Sequence, residues 1–212
     1  KRKSNYIGPK IINTLLPIGL AFFIGGIIIL CIGENPLEAY RIMLGKSLFT
    51  VKGFLNTLHY ASPLLLTGLA IAITFKANIF NMGVEGQLLL GGFFAGITGA
   101  ALNLSNSVAE KLICMLVGMV CGVLFALIPA ILRAYFHVDE MVVTLMLNYA
   151  MIKVLEYLSS GPFREAGSGY VCTPVIHESA MFQRLGIENS RLTMVFFLAF
   201  AVLLVMTFVM TK

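Results

Sequence analysis

The chain has 212 residues, 58% of them apolar and only 12% charged, with a mean hydropathy of +0.92 and a formal net charge of +5. A soluble domain keeps about a quarter of its residues charged to stay hydrated, so this composition excludes an ordinary soluble enzyme or binding module. The basic excess is no nucleic-acid footprint either: Lys1, Arg2, Lys3 and Lys10 cluster around the start of the first apolar run, where they suit anionic lipid at the cytoplasmic face of a bilayer.

Charges are absent from residues 11–33, 53–75, 86–109, 112–132 and 192–211. A helix rises about 1.5 Å per residue, so roughly 20 residues cross a hydrocarbon core of about 30 Å. All five stretches reach that length. A sixth, residues 141–158, is interrupted only by Lys153 and Glu156, which are spaced to pair on one helical face. The expectation is an all-α integral membrane protein with about six transmembrane helices, forming a single domain over residues 1–212. The basic N-terminus puts that end in the cytoplasm.

The first span stops at Glu34-Asn35-Pro36, where proline and charge end a helix. Residues 37–52 are amphipathic, with Leu37, Tyr40, Leu44 and Leu48 on one face, and suit either the membrane interface or the surface of the bundle. The second span carries Pro63. After it comes a polar, glycine-containing passage, Asn78 to Gln87. On residue pattern alone this passage fits a tight hairpin in cytoplasmic water. It also fits irregular backbone at membrane depth, tolerated where protein or a wet cavity satisfies it; there Asn78, Asn81, Glu85 and Gln87 would offer hydrogen bonds to a polar solute.

The third span places Gly91, Ala95 and Gly99 at four-residue intervals, and the fourth repeats the device with Gly118, Gly122 and Ala126. Small residues at that spacing let helix backbones approach closely. Asp139 and Glu140 open the fifth span, where the helix dipole favours anions. Thr144 and Asn148 then lie four apart on one face, suited to interhelical hydrogen bonding or to a polar path. Residues 161–191, with Pro162, Gly167, Gly169 and Pro174, form the one long loop, expected outside the membrane.

Bond-making chemistry finds no support. His59, His137 and His177 are scattered without metal-ligand spacing, and no nucleotide-binding or serine-nucleophile string occurs. No metal or catalytic residue is assigned.

Phe80-Asn81-Met82-Gly83-Val84-Glu85-Gly86-Gln87 resembles the N-I/M-G-V-E-G-Q signature of nucleoside-type ABC importer permeases. Val138-Asp139-Glu140-Met141-Val142-Val143-Thr144-Leu145-Met146-Leu147-Asn148-Tyr149 resembles the N-E-V-I/V-x-T-x-M-L-N-Y segment of the same family, and Gly161-Pro162-Phe163 and Thr173-Pro174 are similar to its outer loop. The resemblance covers essentially the whole chain. It implies a permease in a bacterial cell membrane, importing nucleosides or simple sugars. Its expected partners are a second permease subunit (the same or a different chain), a cytoplasmic ABC ATPase that carries the ATP and magnesium, and an extracytoplasmic substrate-binding lipoprotein. It further implies a helix discontinuous near residues 78–87, with Asn78, Asn81, Glu85, Gln87, Thr144 and Asn148 along the substrate path. The family's ATPase-docking stretch, N-x-x-A-A-x-x-A-G-I, has no match here, so the chain is expected to be the front part of a longer permease. The rival reading is an ion-coupled secondary transporter, for which Glu85 or the Lys153–Glu156 pair would be the ionisable element.

Overall fold

The computed structural model describes residues 7–187 and 190–211, with side chains from Leu15 onward. Seven helices follow one another: α1 Ile7–Cys31, α2 Pro36–Leu48, α3 Val51–Lys76, α4 Val84–Ala101, α5 Ser107–Phe136, α6 Glu140–Ser160 and α7 Val195–Thr211. Among the described residues the only β-pairing is an isolated antiparallel bridge between Arg184 and Thr193. Lys1, Arg2 and Lys3, on which the expected orientation rests, lie outside the described residues.

Three helices, α3, α5 and α6, are each long and apolar enough to cross a bilayer, and a fourth crossing is reached if the bent pair α1–α2 counts as one span. The protein is therefore an integral membrane protein of the all-α class. The expected count of six is not reached among the described residues, for identifiable reasons. Helix α4 spends its first turn on Val84-Glu85-Gly86-Gln87. Helix α7 is apolar but only 17 residues long, and the opening turns of α1 precede the described side chains.

The fold divides into two compact units: residues 1–57 with 187–190, and residues 58–186 with 191–212. In the first unit, α2 turns from α1 by 120°. The turn follows from local chemistry. Asn35 Oδ1 accepts the Leu37 N–H (3.0 Å) as an N-cap, and Pro36 takes the first helical position, where it has no N–H to lose. Tyr40 folds α2 back onto α1, donating to the Phe22 carbonyl oxygen (2.6 Å) with the two rings edge-to-face at 5.3 Å. Gly25 makes room for it; a Cβ there would meet the Tyr40 hydroxyl at 2.8 Å.

In the second unit, α4, α5 and α6 pack together, with α4 against α5 as the main seam. The boundaries of the first two helices differ from the sequence expectation. Residues 86–109 are not one span: α4 ends at Ala101, and α5 begins at Ser107, five residues ahead of the predicted start at Leu112. Asn106 caps α5 by accepting from the Val108 and Ala109 N–H groups (3.0 and 3.3 Å). The acidic Glu110 belongs to its first turn, where the helix dipole favours it, rather than to a connecting loop.

Candidate functional site

The centre of the second unit is the linker from Ala77 to Gly83 and the first turn of α4. Helix α3 ends in a left-handed stop. Asn78 adopts φ 55°, its N–H donates to the Phe75 carbonyl (3.0 Å), and the Ile79 N–H donates back to Thr74 (2.9 Å). This is the paired hydrogen-bond pattern that satisfies the last carbonyls of a helix, and asparagine is one of the few residues that tolerate the required backbone. Asn78 is therefore a helix terminator with an exposed side chain. Asn81 organises the other end of the linker, accepting the Gly83 N–H on its Oδ1 (2.8 Å) just where Gly83 starts α4. A Cβ on Gly83 would lie 2.9 Å from that oxygen, so the turn needs glycine for space.

Helix α6 clasps this linker from the side. The Met82 N–H donates to Thr144 Oγ1 (3.1 Å), the Gly86 N–H donates to Asn148 Oδ1 (2.9 Å), and Asn148 Nδ2 donates to the Met82 carbonyl (2.7 Å). Thr144 and Asn148 are 1% and 5% exposed. The hydroxyl of Thr144 in turn donates to the Glu140 carbonyl (2.7 Å). Both side chains thus satisfy backbone groups that leave the regular helix in a buried site, where an unpaired N–H or C=O is costly. Gly86 is what admits Asn148: a Cβ there would sit 2.7 Å from Asn148 Oδ1 and 2.8 Å from the Phe125 ring. One helical turn away, Glu140 Oε1 accepts the Phe80 N–H (3.3 Å) and pairs with Arg133 Nη1 (2.6 Å). The start of α6 is itself capped by Asp139, which accepts from Met141 (2.8 Å).

The two faces of α4 differ. On one, Gly91 meets Gly118 of α5 backbone to backbone: a Cβ on Gly91 would lie 2.7 Å from the Gly118 carbonyl oxygen, and one on Gly118 would lie 3.1 Å from that of Gly91 and 3.4 Å from the Ala95 Cβ. Gly122 faces the Gln87 carbonyl at 3.7 Å, an ordinary contact. Gly99 makes room chiefly for the loop, with Ile176 and Ala180 at 3.0 and 3.2 Å from its would-be Cβ and Cys114 Sγ of α5 at 3.4 Å. Ala126 borders a small cavity of about 350 Å³ that also takes in Asn81, Arg133, Glu140 and Thr144.

Beside this seam α4 borders an open pocket of about 580 Å³, to which Gly91 and Gly118 also contribute, shared with α3 through Leu66 and Ala70, with α5 through Met115 and Met119, and with the loop through Ile176 and Phe182. Its lining is overwhelmingly apolar. Thr67 Oγ1 is already bonded to the Pro63 and Leu64 carbonyls (3.0 and 3.2 Å), and Lys111 Nζ to Ser107 Oγ (2.9 Å). Gln87 is the exception: its Nε2 is buried and has no hydrogen-bond partner. Buried amide donors are almost always paired, so this nitrogen, closed off from solvent, is an exception among the buried polar groups. Glu85, on the same turn, points to an exposed position.

The chain matches, over residues 53–212, the family described as branched-chain amino acid transport system / permease component. It belongs to that permease family. Among its relatives are the glucose ABC transporter permease protein TsgB13 of Haloferax volcanii, 37% identical over 74% of this chain and 41% of the relative. The guanosine ABC transporter permease protein NupP of Bacillus subtilis is 30% identical over 100% of this chain and 60% of the relative. The nucleoside ABC transporter permease protein NupB of Lactococcus lactis is 29% identical over 96% and 58%. The chain thus spans between 41% and 60% of the length of these three curated relatives. No solved structure matches it.

Of the residues expected along a path, the permease brings Asn81, Gln87, Thr144 and Asn148 around the linker and its flanking cavities, and leaves Asn78 and Glu85 exposed. Sequence reasoning did not single out Gly86, Phe125 and the Arg133–Glu140 pair. It also treated Glu110 as a boundary charge, whereas Glu110 is fully buried, with Oε2 accepting the Leu104 N–H (3.4 Å) and Oε1 unpartnered. The available signal was Asn106, an N-cap four residues ahead of it.

Proposed function

We propose that the protein acts as a permease subunit of an ATP-dependent ABC importer for nucleosides or related simple sugars, in a bacterial cell membrane. The observation that carries the reading is the break between α3 and α4, in a chain of permease kinship, which sets the polar groups of Asn81 and Gln87 among apolar helices. The solute crosses by exchanging water for such groups as the helices around it rearrange. The clasp of Thr144 and Asn148 keeps the irregular backbone satisfied while that happens. Asn81, beside the smaller cavity, is the second proposed solute contact. Asn78 and Glu85, being exposed, serve the path less directly, through the end of α3 and the start of α4.

The chain holds the path and does not hydrolyse ATP; a cytoplasmic ATPase supplies the energy by binding the permease pair differently in its ATP-bound and ATP-free states. A second permease copy or related chain completes the pair, and an extracytoplasmic binding lipoprotein delivers the solute. The names of the relatives, glucose, guanosine and nucleoside permeases, support this range of solutes. The test is uptake of radiolabelled uridine, guanosine, ribose and glucose by cells expressing the transporter with and without its ATPase. Uptake of at least one solute is expected, abolished when the ATPase is deleted. Uptake that continues undiminished would overturn the reading.

A further inference from the structure

Helix α6 meets the linker through three polar side chains spaced four residues apart, Glu140, Thr144 and Asn148, a spacing that puts them on one helical face. They accept in turn the N–H groups of Phe80 (3.3 Å), Met82 (3.1 Å) and Gly86 (2.9 Å). The three rungs differ in strength. Thr144 and Asn148 are neutral and buried, and Asn148 takes a second grip by donating to the Met82 carbonyl (2.7 Å). The Glu140 rung is ionic and partly open to solvent. One oxygen, Glu140 Oε1, accepts both the Phe80 N–H and Arg133 Nη1, so Arg133 sets where this rung stands. Water and salt compete with such a pair, whereas the buried rungs have no such competitor.

The short segment between these rungs is bounded by residues suited to pivot. Asn78, at φ 55°, ends α3, and the Ile79 N–H stays tied to Thr74 (2.9 Å). Gly83 starts α4, with no room for a Cβ beside Asn81 Oδ1. Hinged segments absorb their backbone changes at such element ends. Beyond Gly83 the chain is fixed: Gly86 is held by Asn148, and Gly91 abuts Gly118 of α5. On the α3 side the segment keeps an apolar contact, with the Phe80 and Phe75 rings 5.2 Å apart. The line along which it can part therefore runs between the segment and α6.

We infer that Phe80, Asn81 and Met82 form a flap that α6 holds shut, pivoting at Asn78 and Gly83, and that the Arg133–Glu140 pair is the latch from which it opens. Glu140 releases first, and Thr144 and Asn148 follow. Arg133 and Glu140 are positioning residues, acting on the flap and not on a solute. The role in transport rests on the permease reading: Asn81, the middle residue of the flap, is a proposed solute contact, and its place along the path changes as the flap moves.

The experiment is amide hydrogen exchange, resolved to single residues by fragmentation in the mass spectrometer, on the full-length permease assembled with its ATPase. In the nucleotide-free transporter the Phe80 amide is expected to exchange about tenfold or more faster than that of Gly86. Arg133→Ala should speed exchange at Phe80 about threefold and Glu140→Ala about tenfold, with Gly86 unchanged. Added salt, which needs no variant, should speed Phe80 in the parent and have no further effect in Arg133→Ala.

If Arg133→Ala and salt both leave Phe80 unchanged, the pair only closes the turn between α5 and α6, and the latch is overturned. If Phe80, Met82 and Gly86 exchange at one rate, the linker opens with the whole bundle and there is no flap. Trapping with ATP and vanadate should change exchange at Phe80 and Met82 by about tenfold and leave Gly86 as it was; equal protection in both states would remove the flap from the transport cycle. A failed permease reading shows separately, as no ATP-dependent uptake of any solute, while the nucleotide-free comparison of Arg133→Ala with the parent still decides the latch.

Discussion

The two faces of α4 carry the same kind of residue to opposite ends. Gly91 and Gly118 use the missing Cβ to bring two backbones into contact, leaving no room for a methyl group. Gly92 and Gly96, one step round the helix, use it to leave a cavity wall flat and open. A glycine stripe is thus not by itself a packing motif: what stands across from it decides whether it closes a seam or shapes a void. The polar residues divide as well, since Asn148 and Thr144 are spent on the linker backbone while Gln87 Nε2 is buried without a partner.

Breaking the closed side at its clasp should have the largest effect. Asn148→Leu strands the Gly86 N–H and the Met82 carbonyl in a buried site, and is expected to cost about 2–5 kcal/mol, read as a lowered unfolding temperature in detergent. Were it instead to change only KM with stability intact, Asn148 would belong to the path and not to the clasp.

Gly91→Ala pushes a methyl group against the Gly118 carbonyl oxygen and should cost about 1–3 kcal/mol by forcing α4 and α5 apart. The matching Gly92→Ala on the open face should stay within about 0.5 kcal/mol of the parent; equal losses at both positions would erase the difference between the faces. Thr144→Val, which keeps the shape and removes the acceptor for Met82, should cost about 1 kcal/mol. Smallest is Arg133→Ala. Its ion pair with Glu140 is partly exposed, so about 0–1 kcal/mol is expected, shrinking as salt is added; a larger, salt-independent loss would show that the pair holds the linker as firmly as the clasp does.

Much of this architecture is legible along the chain. The stop before Pro36, the start at Asp139, the extended loop after Ser160 and the Lys153–Glu156 pair (2.8 Å) are local matters of capping, proline geometry and helical spacing. What the chain does not display is which of two chemically similar neighbours faces a void. Asn78 and Gln87 look alike as polar side chains in one short passage, yet one ends a helix with its backbone and the other buries an unpaired amide. Glu110 was hidden for a related reason: a charge next to a lysine reads as a surface turn until the chain folds over it.

Composition and hydrophobic run length therefore determined the class by themselves, because a bilayer demands long uncharged helices wherever they occur in a sequence. The helix starts at Pro36 and Glu140 were also fixed there, since caps act within a few residues, whereas the break between α4 and α5 was not. Only the tertiary structure decided which glycines touch a backbone, which polar groups are spent on the linker and which remains free. Those outcomes depend on residues far apart in the chain meeting across α4, α5 and α6, as Gly86 meets Asn148 at a sequence separation of 62, and no local pattern carries that information.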